Sequence, residues 1–128
     1  MIEKIVVMNS AFSRRCYAFL LLAFSVAVQA QAPQTTQAKA ADFATCAALY
    51  FNAVNVKPLT EYETVYGAGE RAFNEGIKLV GREALNDLMA RSSGEMMKLI
   101  NADWRNFPNL EQRYGADCDA LMASVPAP

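Results

Sequence analysis

Apolar residues recur through most of this chain at the three- and four-residue spacing of an α-helix, and no stretch shows the two-residue alternation of a half-buried strand. A first stripe, Phe43, Cys46 or Ala47, Tyr50 and Val54, is opened by Asp42 as a cap and stopped by Lys57-Pro58. In a second helix, Thr60 and Glu63 stand three apart at the start, the spacing at which each side chain satisfies a free amide. Its stripe runs through Tyr62, Val65 or Tyr66, Gly69, Phe73, Ile77 and Val80 to a stop at Gly81. Leu85, Leu88 or Met89, Ser92, Met96, Leu99 or Ile100, Trp104 and Phe107 keep one period up to Pro108 and predict a third helix. One or two turns over Asn109 to Tyr114 end at Gly115, and Asp117 caps a last short helix with Cys118, Leu121 and Met122.

Two places weaken this pattern. Gly67, Gly69 and Gly76 lie inside the second helix, each costing up to about 1 kcal/mol relative to alanine. Gly69 and Gly76, seven apart, share a face on which a neighbouring backbone is able to come close; the alternative is a helix locally kinked near Gly67. Ser92-Ser93-Gly94 interrupts the third helix. Ser92 with Glu95 is also a restart signal, but the unbroken period favours one helix with a weak centre, supported by Asp87 and Arg91 at four-residue spacing.

The N-terminus has a different layout. Lys4, Arg14 and Arg15 precede an apolar run from Tyr17 to Val28, too short for the roughly 20 residues of a membrane-spanning helix. Val28-Gln29-Ala30 then offers the small residues that signal peptidase needs, so residues 1–30 read as a cleavable signal cut between Ala30 and Gln31. Met8 is an alternative start, since Met8 to Ala30 is already a complete signal. Cys16 precedes the apolar run, is no lipid-acceptor cysteine, and leaves with the signal. The mature chain is expected in the periplasm or outside the cell, with no transmembrane anchor. Residues 31–41, of Gln, Thr, Ala, Pro and one Lys, read as a flexible leader, 42–123 as one helical domain and 124–128 as a disordered tail.

Removing the signal changes the cysteine and charge balance. Cys46 and Cys118 are left, an even pair in an exported chain, and such a pair is expected to be bonded. The fold class follows: all-α, a small bundle of two long antiparallel helices plus two shorter helices, clipped by one disulfide that fastens the last helix to the first. Without Glu3, Lys4, Arg14 and Arg15 the chain keeps 9 basic and 12 acidic side chains, a net charge of −3 with the signs scattered. No basic stripe tracks a phosphate backbone, so nucleic acid is not an expected partner.

The chain has no histidine, which removes His-based nucleophilic arrangements and His-ligated zinc or haem. The widely separated cysteines form no CxxC pair, and no cofactor or metal is expected. Met89, Met96, Met97 and Met122 present thioethers, but Met89 and Met96 share the apolar stripe and read as core filler rather than copper ligands. Glu63 and Glu70, seven apart on one face, are the best pair for acid and base work, with Asp103 as a further carboxylate. In a bundle this small most of Tyr50, Tyr62, Tyr66, Trp104 and Tyr114 belong to the core. The stretch around Pro108 is the expected contact surface, with Asp103, Arg105, Asn106, Asn109, Arg113 and Tyr114 as its residues.

Two functions fit. The first is a non-catalytic helical binding protein of the bacterial cell envelope, acting on a protein partner as an inhibitor, immunity-type protein, chaperone or assembly factor. The second is a small hydrolase or lyase using Glu63, Glu70 or Asp103. In length, signal and a single widely spaced cysteine pair the chain resembles the acid-stress chaperones of the bacterial periplasm, a resemblance of architecture without a shared motif.

Overall fold

The computed structural model describes residues 35–127, so the expected signal and its Ala30/Gln31 cut lie outside the described residues. Helix α1 covers residues 35–53, α2 Tyr62–Val80 and α3 Arg82–Leu99. A last helical run consists of α4, Phe107–Leu110, a π-helical turn, Glu111–Gly115, and α5, Ala116–Ala123. The fold is a small all-α bundle, and no strand occurs among the described residues.

The largest departure from expectation concerns α1. It is already helical at residue 35, and Ala40 is fully buried. A flexible leader reaching to residue 41 is therefore corrected: Ala38, Ala40 and Ala41 are strong helix formers, and Ala40 has core to pack on. Asp42 is an exposed mid-helix residue and not a cap. From Phe43 to Leu49 every residue except Thr45 is buried, more than a single inward face provides. α1 is thus the central helix of the bundle, and its alanines at 40, 44, 47, 48 and 53 leave room for neighbours on several sides.

Those neighbours are identifiable. Thr45 and Ser92 share a hydrogen bond of 3.0 Å between their hydroxyls, linking α1 to α3 and accounting for a serine in an apolar stripe. The Asn52 amide donates to the Met96 sulfur at 3.8 Å. On the other side, a Cβ at Gly69 of α2 would stand 2.8 Å from the Phe51 ring. Cys46 and Cys118 form the expected disulfide between α1 and α5, with Cα atoms 5.4 Å apart and both residues buried.

The entry to α2 is made by a 3₁₀ turn, Leu59–Glu61, in which Glu61 N–H donates to the Pro58 carbonyl and Tyr62 N–H to that of Leu59. The chain thus enters α2 through backbone hydrogen bonds, and the expected Thr60/Glu63 pairing is not made: no side chain caps either the turn or the helix. Gly81 alone joins α2 to α3 at φ +85° and ψ 164°, a conformation essentially reserved for glycine. Arg82 lies over the Phe73 ring, 5.5 Å from its centroid, and Leu85 fills the space above Gly76. The glycine face of α2 therefore receives side chains of its own chain, and α2 passes Gly67 as an unbroken helix.

α3 crosses Ser92-Ser93-Gly94 intact, as the period implies, but ends at Leu99 and not at Pro108. Asn101 and Ala102 adopt φ values of 54° and 52°, which no right-handed helix contains. Pro108 sits in the first turn of α4, where its missing N–H costs nothing, so it begins a helix. Gly115 keeps a helical φ of −57° and Asp117 caps nothing; the expected break between the last two elements is replaced by the π-helical turn. The tail is ordered at first: Val125 N–H donates to the Met122 carbonyl at 3.1 Å and Val125 packs against the core.

Candidate functional site

The six residues expected to form a contact surface have divergent roles. Asp103 caps the short 3₁₀ turn Trp104–Asn106 through the Arg105 amide and holds the Arg105 guanidinium at 2.7 Å. These bonds keep the Asp103 carboxyl below its ordinary range. The Asn106 side chain donates to the Ile100 carbonyl at 3.0 Å and so closes the turn after α3. Asn109 and Arg113 face solvent, the latter with its guanidinium 5.4 Å from the Tyr114 ring centroid. Tyr114 lines an open cleft of about 620 Å³ beside the disulfide, with Asp42 and Asp117 on its walls. Glu63 and Glu70 are both exposed, and Glu70 borders a groove with Thr64, Arg71 and Asn74.

The aromatic residues are less buried than expected. Tyr62, Tyr66 and Trp104 are each more than one third exposed, as is Leu99, whereas Tyr50 and Tyr114 are half-buried. Leu59 is 90% exposed in the turn before α2, with Tyr62 and Tyr66 following at helical spacing. Tyr62 stacks on Tyr66 with ring centroids 5.6 Å apart and planes within 5°, and Tyr66 leans on Phe51 of α1 at 5.5 Å. The outer surface of α2 therefore begins with a leucine and two stacked phenols held in place by α1. Rings so fixed lose little freedom on contact, and each joins an apolar body to a polar hydroxyl.

A second arrangement involves residues that periodicity did not single out for chemistry. Tyr50 of α1, Thr64, Val65, Ala68 and Arg71 of α2, and Asp119 and Met122 of α5 line one cleft of about 360 Å³. Tyr50, Val65 and Asp119 also border an adjoining cleft that reaches Glu111 and Gly115 of the π-helical turn, where Glu111 pairs with Lys57. Burial raises the Tyr50 phenol above its ordinary 10.0. The negative charge of the nearby Asp119 adds to the rise, and Arg71 opposes it. A perturbed group in a cleft between oppositely charged side chains is a physical mark of a binding site. The sequence did contain a signal for Arg71: Thr64, Ala68 and Arg71 stand four and three apart, which puts the arginine in line with an inward-leaning alanine.

Among the described residues no cluster of three or more metal-ligating side chains occurs, and no helix is long and apolar enough to cross a membrane. Compared with protein-family models, curated proteins and solved structures, the chain matches none of them.

Proposed function

We propose that this chain is an exported, non-catalytic binding protein of the bacterial cell envelope, released from its signal after Ala30 and engaging a protein partner through a rigid helical face. The observation that carries the reading is the Leu59–Tyr62–Tyr66 ridge, where a leucine is 90% exposed beside two stacked, solvent-facing tyrosines. Aromatic residues are enriched at protein interfaces because they bury much area at low entropy cost, and a stable fold that leaves them outside forgoes that burial. The disulfide supports the compartment, since such bonds persist where thiols are not kept reduced. Asp103, Arg105, Asn109 and Arg113, beside the exposed Trp104, form a second, polar contact region of the same protein.

Affinity capture from an envelope extract tests the reading, with the wild-type chain compared with a Leu59→Ser/Tyr62→Ser variant. The expected result is one partner retained by the wild type and lost by the variant. Absence of any specific partner, also after acid stress, overturns the proposal. Intact mass of the periplasmic protein addresses export: a chain starting at Gln31 and two hydrogens lighter than its reduced form is expected, and a full-length chain with free thiols would overturn the localisation.

A further inference from the structure

The charges around the Leu59–Tyr62–Tyr66 ridge are of one sign. Between Lys57 and Arg71 the sequence holds Glu61, Glu63 and Glu70 and no basic side chain. These three acids equal the whole negative surplus of the expected mature chain, whose other nine acidic side chains are matched by its nine basic ones. All three are exposed, and among the described residues none makes an ion pair. The bases at the two borders do not offset them: Lys57 is engaged by Glu111, and the Nε of Arg71 is enclosed. Helix geometry sets the carboxylates beside the rings. Tyr66 stands three residues after Glu63 and four before Glu70, so the two acids flank it on one face of α2. The dipole of α2 favours an acid in its first turn, where Glu63 stands, but its effect does not reach Glu70, two turns on.

Resting on the reading of this ridge as a protein-binding face, we propose that its partner presents a basic segment: an aliphatic side chain that covers Leu59, and an arginine that lies against the stacked phenols within reach of Glu63 and Glu70. A guanidinium both stacks on aromatic rings and pairs with carboxylates, so arginine suits a surface that offers the two together. An exposed carboxylate contributes little affinity by itself. Here the leucine and the rings supply the area that contact buries, and the acids select the partner by charge. The same acids disfavour the other occupants of such a face. A second copy packed ridge against ridge would set like charges opposite each other, which opposes association. A bilayer rich in anionic lipid would be repelled as well, although leucine and tyrosine suit its interface.

The experiment measures, by fluorescence anisotropy, binding of the oxidised mature protein to a labelled helical peptide of leucine, alanine and arginine, and to the same peptide with glutamine or glutamate in place of arginine. The arginine peptide is expected to bind saturably and about tenfold or more tighter than the glutamine peptide, to weaken as salt rises, and to lose about tenfold on Glu63→Gln/Glu70→Gln. The glutamate peptide is expected not to bind. The proposal is overturned if the arginine peptide does not bind, if the glutamine peptide binds as tightly, or if Glu63→Gln/Glu70→Gln, folded by circular dichroism, binds as the wild type does. It is also overturned if the protein alone sediments as a dimer that Leu59→Ser/Tyr62→Ser dissociates, or if phosphatidylglycerol vesicles bind the wild type and not that variant. Capture from the envelope extract separates this failure from that of the underlying reading. A partner lost by Leu59→Ser/Tyr62→Ser but kept by Glu63→Gln/Glu70→Gln sinks the basic segment alone, whereas a partner kept by both variants sinks the ridge.

Discussion

Helices α1 and α2 are similar in length and are used in opposite ways. α1 is surrounded, with six of the seven residues from Phe43 to Leu49 buried and its alanines allowing other elements to approach from several directions. α2 buries only Gly69, Ala72 and Gly76 and presents Tyr62 and Tyr66 to solvent. Small residues in α1 thus make a centre, whereas in α2 they make a narrow seam under an exposed surface. The difference separates the part of the molecule that holds the fold from the part left free for recognition, and substitutions should divide along the same line.

The largest effect is expected where α1 is fastened. Replacing both Cys46 and Cys118 with serine opens a link between residues 72 apart in sequence. In the chain-entropy account such a loop contributes about 4 kcal/mol. Urea unfolding of the oxidised and reduced wild type, beside the double serine variant, measures it. A midpoint that does not move on reduction would mean that α1 keeps its central place by packing alone.

Within α2 the seam itself is testable, and the expected signs differ along one helix. A Cβ at Gly76 would meet Leu85 atoms at 2.8 Å or closer, and Leu85 is fully buried with little room to move. Gly76→Ala should cost about 1–3 kcal/mol, overpacking outweighing the better helix propensity of alanine. Gly67 has nothing within 4 Å of a built Cβ, so Gly67→Ala should raise stability by up to about 1 kcal/mol. Thermal unfolding of the two variants decides the matter. A loss at Gly67 would show that α2 uses that face for packing after all.

The contact of α1 with α5 makes a pH-dependent contribution. Tyr50 has a folded pKa above the 10.0 of the unfolded chain, chiefly because burial disfavours the phenolate. Between those two values the folded state binds more protons than the unfolded one, so stability falls as pH rises above about 10. Below pH 10 the phenol is neutral in both states and the effect is absent. Tyr50→Phe should flatten the alkaline limb of a stability curve recorded by denaturant unfolding and leave the neutral region without that slope. An unchanged limb would assign the alkaline loss to other groups.

Periodicity made α2, the Gly81 stop and the continuity of α3 through Ser92-Ser93-Gly94 legible, because each rests on local spacing or on one residue's backbone freedom. The Cys46 to Cys118 bond was legible by count, two cysteines having one intramolecular pairing. The central position of α1 was not, since a helix buried on all sides loses the polar stripe that periodicity reads, and its alanines look neutral. Pro108 and Gly115 misled for a related reason: both are common stops, yet proline also begins helices and glycine accepts helical φ. The Arg71, Asp119 and Tyr50 cleft joins three helices, and no spacing within one of them specifies it.

The smallest stability change is expected at the ridge, where it carries the most meaning. Leu59 has 90% of its surface in solvent and lies in a 3₁₀ turn held by backbone bonds from Glu61 and Tyr62. Leu59→Ser removes almost no buried area, so unfolding should shift by no more than about 0.5 kcal/mol. Tyr62→Ser gives up the stacking on Tyr66 and should cost slightly more, about 0.5–1.5 kcal/mol at most. A fold that is indifferent to Leu59 has no internal use for it, so a serine variant as stable as the wild type isolates recognition from folding. If Leu59→Ser instead destabilises the chain by several kcal/mol, the leucine is part of the core in solution, and the contrast between a holding helix and a presenting helix fails at its most exposed residue.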